Sequence, residues 1–272
     1  MERWEGHHSP LSVEDRSLIA TKGGKGPFTL RRDIYPMALS RTDQRRHGKM
    51  VEFYSMLVKE ADLVFDIGAN HGNRVEIFLS LGAKVVAVEP QPLCVEHLRR
   101  RFGWNDELTL LELAVDSKVG RSSMKISNND AVSSMNDQWI DKAKAGGRFD
   151  NSRWDREIDV TTTTLDSLIA FYGCPKFMKI DVEGHESEVL KGLHTPIPQL
   201  SFEYTPEYIQ PALECLEHLS SLGAYAYNLS RGESMDFTLP GFVNRMEMVE
   251  ALEELKGRKG QEESGDIYAM MS

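Results

Sequence analysis

Cysteine is scarce in this chain. Cys94, Cys174 and Cys215 are the three present among 272 residues, they stand far apart, and no two form a CxxC pair. Neither a disulfide framework nor a structural zinc is therefore expected. No stretch of about 18 apolar residues runs free of charge, as a membrane-crossing helix requires, and Met1 to Gly6 lack the apolar stretch of a secretory leader. These absences predict a reducing, cytoplasmic setting and no membrane partner. Positive charge is also in deficit: 32 Lys and Arg face 42 Asp and Glu, a net charge of −10. So acidic a chain is poorly matched to a nucleic-acid backbone as its main partner. It has no internal repeat, and its 40% hydrophobic and 27% charged residues fit a globular domain, not a coiled coil or a disordered polymer.

The charge that is present is uneven. Residues 1–50 carry a local +4, with Arg31-Arg32 and Arg45-Arg46 as its densest pairs. Residues 1–49 read as a basic arm, weakly ordered through Lys22-Gly23-Gly24-Lys25-Gly26-Pro27, that lies on its own acidic domain or meets an anionic substrate. Residues 50–272 read as one catalytic domain. From Gly48 to Glu60 apolar side chains recur at helical spacing. Short apolar runs then alternate with helix-like stretches: strands at 63–65, 85–88, 109–115, 177–182 and 200–203, helices at 73–81, 91–102, 165–172, 186–193 and 206–222. Strands separated by helices of this length need crossovers, which means a parallel sheet covered on both faces. Residues 121–160 break the rhythm, and we read them as an insertion beside the substrate crevice, with a short strand at each end. A strand at 225–229, a helix around 247–256 and a last strand at 266–270 complete the prediction.

The most informative segment is Asp66-Ile67-Gly68-Ala69-Asn70-His71-Gly72, a glycine turn between a strand and a helix. Gly68 permits the sharp turn and the close approach of a ligand, Gly72 lets the helix start pack tightly, and Asn70 tolerates the left-handed conformation. A dehydrogenase also carries a glycine turn with an acidic residue about 20 positions on, here Glu89 at the end of the second strand. However, the glycines stand as G-x-x-x-G, and Asp66 would repel a diphosphate. The same carboxylate attracts a ligand bearing an ammonium group, such as the methionyl end of S-adenosylmethionine.

The combination of this turn with Val88-Glu89-Pro90, Thr164-Leu165-Asp166, Met178-Lys179-Ile180-Asp181-Val182-Glu183-Gly184-His185-Glu186 and Phe202-Glu203, in that order, resembles the FkbM-type methyltransferases. The resemblance covers roughly residues 50–230 and the final strand. It implies a class I methyltransferase, a Rossmann-like α/β fold with a seven-stranded, mostly parallel sheet and helices on both faces. It further implies S-adenosylmethionine as cofactor and a hydroxyl of a sugar or secondary metabolite as acceptor. On this resemblance Asp66, Gly68 and Asn70 surround the methionyl part, Glu89 holds the ribose, and Ala114, Val115 and Asp116 lie beside the adenine.

The carboxyl ends of the fourth and fifth strands supply Asp181, Glu183 and Glu203, the place where ligands bind in an open parallel sheet. Methyl transfer to a hydroxyl needs the oxygen about 3–3.5 Å from the methyl carbon and a group to take its proton. Asp181 either takes that proton or helps orient the group that does, with Glu183 and Glu203 around the hydroxyl, or it forms a structural ion pair with Lys179 that positions the strand end; His185 is either a solvent-facing first-turn residue of the next helix or a further base. Lys179 interrupts an otherwise apolar strand, and a buried ammonium demands a carboxylate, Asp181 or Glu203 being nearest in logic. No fixed metal-loop spacing accompanies this group, so no metal is expected. Two other functions fit the same residues: an RNA ribose methyltransferase, from Lys179, Asp181 and Glu203 with the basic arm, and a non-catalytic module that only binds the donor.

Overall fold

A computed structural model describes residues 41–147, 149–258 and 263–272. The expectations for residues 1–40, including Arg31-Arg32 and the glycine-lysine stretch, fall outside the described residues. The chain forms a seven-stranded sheet in the order β3-β2-β1-β7-β8-β10-β9. Its strands are β1 (Leu63–Ile67), β2 (Lys84–Val88), β3 (Leu108–Leu111), β7 (Phe177–Ile180), β8 (Gln199–Tyr204), β9 (Tyr225–Arg231) and β10 (Gly265–Met271). All run parallel except β10, which lies antiparallel between β8 and β9. Strand order reverses between β1 and β7, the point at which connections leave to opposite sides and a crevice opens.

Sequence explains why the central strands sit there. Val64-Phe65-Asp66-Ile67, Val85 to Val88 and all of β7 are buried on both faces, so each is apolar almost throughout instead of alternating. Crossover helices cover the sheet: α2 (Asn73–Ser80), α3 (Pro92–Phe102), α5 (Leu165–Tyr172), α6 (Glu186–Lys191), α7 (Gln210–Leu222) and α8 (Arg245–Leu255). On α3, Cys94, Val95, Leu98 and Phe102 form the apolar stripe and Pro92 opens the helix where no amide bond is lost. Thr164 caps α5, and Asn244 with Glu247 makes a reciprocal capping box on α8. The first described helix, α1 (Arg41–Ser55), spans Gly48, so residues 41–49 of the expected arm belong to it and Met50, Phe53 and Tyr54 anchor it in the core.

Two expectations are revised. The run at 109–115 is not one strand: β3 ends at Leu111, and β4 (Ala114–Val115) leaves the main sheet to pair with β6 (Trp154–Thr163). The expected insertion is more ordered than its polarity implies, since β5 (Gly120–Ser127) and β6 form a long antiparallel pair. Between them Asp130–Val132 forms a 3-10 turn and Asp137–Ala145 the helix α4, which sequence reading left without a helix. Asn136 caps α4, while Trp139, Ile140 and Ala143 are buried against Phe149, Trp154 and Tyr208 in a small core of their own. Trp139, Phe149 and Trp154, with Val132, Ile140 and Ala143, thus order a segment that is otherwise largely polar.

Candidate active site

A cleft of about 770 Å3 opens over the carboxyl ends of β1, β2, β7 and β8, a size typical of small-ligand sites. On one side it is lined by Asp66, Gly68, Asn70, Glu89, Ala114 and Val115. On the other stand Lys179, Asp181, Glu183, His185 and Glu203. The sheet register joins the two sets, because Asp66 is the direct partner of Lys179 and the Asp181 amide bonds Ile67 O at 2.9 Å.

The glycine turn is saturated from within. Gly68 and Ala69 donate to Val88 O, Asn70 to Glu89 Oε2, His71 to Asn70 Oδ1 and Gly72 to Ala69 O, at 2.8–3.1 Å. A diphosphate would find none of these five amides available, which weighs against a dinucleotide in this cleft. Three left-handed residues make the bend: Gly68 at φ 85°, Asn70 at 45° and Gly72 at 81°. A Cβ on Gly68 would sit 1.8 Å from Asp181 O, so glycine is what lets the donor side touch the end of β7. Gly72 faces away from the cleft, and a Cβ there would strike Leu98 and Phe102 of α3.

Asp66 is 2% exposed, and its Oδ2 finds no hydrogen-bond partner among the described residues. Burial pushes its carboxyl up to about 7, despite the opposing pull of Lys179 and Arg74. A buried acceptor that faces a cleft and lacks a donor fits the ammonium of the methionyl group. Glu89, likewise buried and raised to about 7, accepts from the amides of Asn70 and Gln91, so it holds both donor-side loops while each oxygen keeps a lone pair for a ribose hydroxyl.

On the opposite side Lys179 is completely buried and bonds Asp181 Oδ2 at 3.0 Å and Asp266 Oδ1 at 2.9 Å. Burial alone would lower its ammonium, but these two carboxylates hold it well above the usual lysine range. Asp181 was anticipated, and Asp266 takes the place expected of Glu203. The reason is topological: β10 enters the sheet beside β8, which sets Asp266 opposite Glu203, and Ser201, the neighbour of Lys179 on β8, is small enough for the lysine to pass. Carboxylate oxygens of Asp181, Glu183 and Glu203 lie within 4.8 Å of one another, a set that hard cations also favour. Glu183 and Gly184 take consecutive positive φ values of 55° and 86°, strain that marks the turn above β7 as over-determined by its surroundings. Glu186 supplies part of that control by accepting from the amides of Val182 and Gly184. The insertion supplies the rest, with Ser134 Oγ on Glu183 O, Asn136 Nδ2 on Gly184 O, and the Trp139 ring where any Cβ on Gly184 would lie.

His185 lines the cleft with Nε2 3.6 Å from Asp116 Oδ1. Asp116 itself stands behind His185 and does not line the cleft, so only Ala114 and Val115 of that stretch do so. The cleft also exposes Arg46 of the basic stretch, and residues that the sequence does not single out: Arg74, Gln91, Asp130, Arg231 and Glu233. Glu233 pairs with both Arg46 and Arg74, a contact joining positions that no local pattern relates. Asp266 alone left a trace in the chain, as a carboxylate at the head of an apolar final strand.

A model of the methyltransferase FkbM domain matches residues 66–227. The chain belongs to the FkbM methyltransferase family. It carries an S-adenosylmethionine-dependent methyltransferase domain, and the donor-side residues fit that cofactor. Among curated proteins it is 29% identical over 161 residues to the 2-O-methyltransferase NoeI of Sinorhizobium fredii, covering 57% of this FkbM chain and 66% of that one. It is 29% identical over 107 residues to the chloroplastic ribosomal RNA small subunit methyltransferase of Arabidopsis thaliana, covering 39% and 27%. The matches thus span less than two thirds of these relatives. Solved structures of similar fold include precorrin-6y C5,15-methyltransferase of Geobacter metallireducens, at 12% identity, TM-score 0.44, and 87% and 92% coverage. Aeropyrum pernix fibrillarin with natively bound S-adenosyl-L-methionine is another, at 10% identity, TM-score 0.43, and 82% and 73% coverage. No helix among the described residues of this family member is long and apolar enough to cross a membrane.

Proposed function

We propose that this chain methylates a hydroxyl on a small molecule, a sugar or a secondary metabolite. One observation carries the reading: the carboxylates of Asp181, Glu183 and Glu203 face the same cleft as the buried pair Asp66 and Glu89. A site for a cationic donor and a site able to take a proton therefore share one chamber. The 2-O-methyltransferase relative supports oxygen as the accepting atom.

Bound S-adenosylmethionine supplies an electrophilic methyl group on a sulfonium. Asp66 would hold its ammonium and Glu89 its ribose hydroxyls, and Ala114 and Val115 would give its adenine an apolar wall. Gly68, with Asn70 beside it, lets that ligand approach the end of β7. An acceptor hydroxyl placed toward that methyl group would need a base beside it, and the Asp181 carboxylate would take its proton. Lys179 fixes Asp181 by a bond to one oxygen, Oδ2, leaving the other for the acceptor. Glu183, Glu203 and His185 orient the acceptor, and the expected role of Asp116 is reassigned to holding His185.

The test combines Asp181→Asn and Glu203→Gln with labelled S-adenosylmethionine and a panel of glycosides and polyketides. Normal donor affinity with turnover reduced by 100-fold or more, an effect on the order of general-base loss, is the expected result. Unchanged turnover removes both residues from the chemistry, and absence of donor binding by the unaltered protein ends the proposal. The chloroplast ribosomal RNA relative favours a second reading, methylation of RNA. It requires RNA binding that weakens steeply with salt.

A further inference from the structure

The rim of the cleft beside Glu89 and Gln91 gathers a group of side chains that the proposed reaction does not use. His71 follows the glycine turn, Cys94 lies in the first turn of α3, and Asp130 comes from the 3-10 turn of the insertion. Their ligand atoms all lie within 4.8 Å of one another, with His71 Nε2 at 2.7 Å and Cys94 Sγ at 3.9 Å from Asp130 Oδ2. One helical turn beyond Cys94, in a Cys-x-x-His spacing, His97 presents its ring to His71 with centroids 4.8 Å apart.

We propose that His71, Cys94 and Asp130 form a three-ligand binding site for a zinc-class divalent ion, its fourth position open to water or to a rotated His97. Nitrogen, sulfur and oxygen donors from three separate elements suit a borderline-soft, tetrahedral cation and do not suit magnesium or calcium. The geometry is close to the requirement. Around zinc the N–O edge of a tetrahedron is about 3.4 Å and the S–O edge about 3.6 Å. The His71–Asp130 contact must therefore open by about 0.7 Å and the Cys94–Asp130 contact close by about 0.3 Å. Side-chain rotation allows both changes, since His71 and Asp130 are 41% and 40% exposed. Electrostatics points the same way. Glu89 and Asp130 set two carboxylates beside the buried Cys94, a field that attracts a cation. Binding then releases the thiol proton to solvent and forms the metal–thiolate bond. An ion held here would overturn the expectation of no structural zinc, because spacing along the chain cannot show that folding brings His71 and Asp130 to Cys94.

Such an ion would tie the insertion, through Asp130, to the turn that lines the donor cleft, through His71. The site stands on its own residues and needs no methyl acceptor, so its failure leaves the proposed reaction untouched. Cobalt(II) titration of the full chain, freed of metal with a chelator, is the test. One equivalent should give a near-ultraviolet thiolate-to-cobalt charge-transfer band with tetrahedral visible bands, removed by added zinc and unaffected by millimolar magnesium. Cys94→Ser should abolish the charge-transfer band, and His71→Ala, altering a half-exposed position outside the core, should weaken cobalt binding at least about tenfold. A chain that gives no thiolate band overturns the proposal, as does a band that survives in a folded Cys94→Ser variant or vanishes in Cys174→Ser.

Discussion

Replacing Asp66 by Asn tests the donor side with two readouts of opposite sign. An ionised carboxylate facing an ammonium contributes about 1.5–3 kcal/mol, so the Asn variant should bind S-adenosylhomocysteine roughly ten- to 150-fold more weakly near pH 8. The free protein should become more stable. Asp66 is buried with Oδ2 lacking a partner among the described residues, and its carboxyl is raised from the ordinary 3.8 to about 7. A carboxyl with a raised folded-state value binds its proton more tightly when folded, so the cost of ionising it builds as pH rises from about 4 and is complete above about 7. Three pH units correspond to at most about 4 kcal/mol. Asp66→Asn should therefore raise the unfolding midpoint most at pH 8 and hardly at all near pH 4. Calorimetric titration at pH 6, 7 and 8 should find the affinity gap between the two proteins narrowing toward acid, as Asp66 takes up its proton. Glu89 titrates in the same range and is common to both proteins, which is why the ratio is the quantity to follow. A variant that binds as tightly as the parent at pH 8, or that is less stable there, refutes the assignment of Asp66 to the ammonium.

Three further perturbations follow from the same geometry. Gly68→Ala, at φ 85° and with its Cβ driven into Asp181 O, should cost about 3 kcal/mol or more in denaturant melts and abolish donor binding. Lys179→Met leaves the buried Asp266 and the half-exposed Asp181 without their cation, and should lower stability by about 3–5 kcal/mol; a melt within about 1 kcal/mol of the parent would show that the pairing is dispensable. Trp139→Ala removes the ring beneath Gly184 and should cost about 3–5 kcal/mol overall, with kcat falling while donor affinity holds, because the insertion then no longer braces the Glu183 turn.

Much of this architecture was legible in the chain because its cues are local. Apolar runs such as Val85 to Val88, glycine and asparagine at the left-handed positions of one turn, and the apolar stripe of α3 each depend on neighbours only a few residues away. They were enough to give the alternating strands and helices, the covered parallel sheet, and a turn whose acid favours a cation over a diphosphate. Lys179 even announced its need for a carboxylate, since no burial pattern tolerates a lone ammonium. The identity of that partner was a different matter. Asp266 reaches Lys179 only because β10 inserts antiparallel beside β8, 87 residues further on. The split of 109–115 between two sheets, the capture of the Glu183 turn by Trp139, the retreat of Asp116 behind His185, and the meeting of His71 with Cys94 and Asp130 have the same origin. Propensity and periodicity act over a few residues, whereas these contacts exist only once loop closure has brought distant segments together, and that choice belongs to packing.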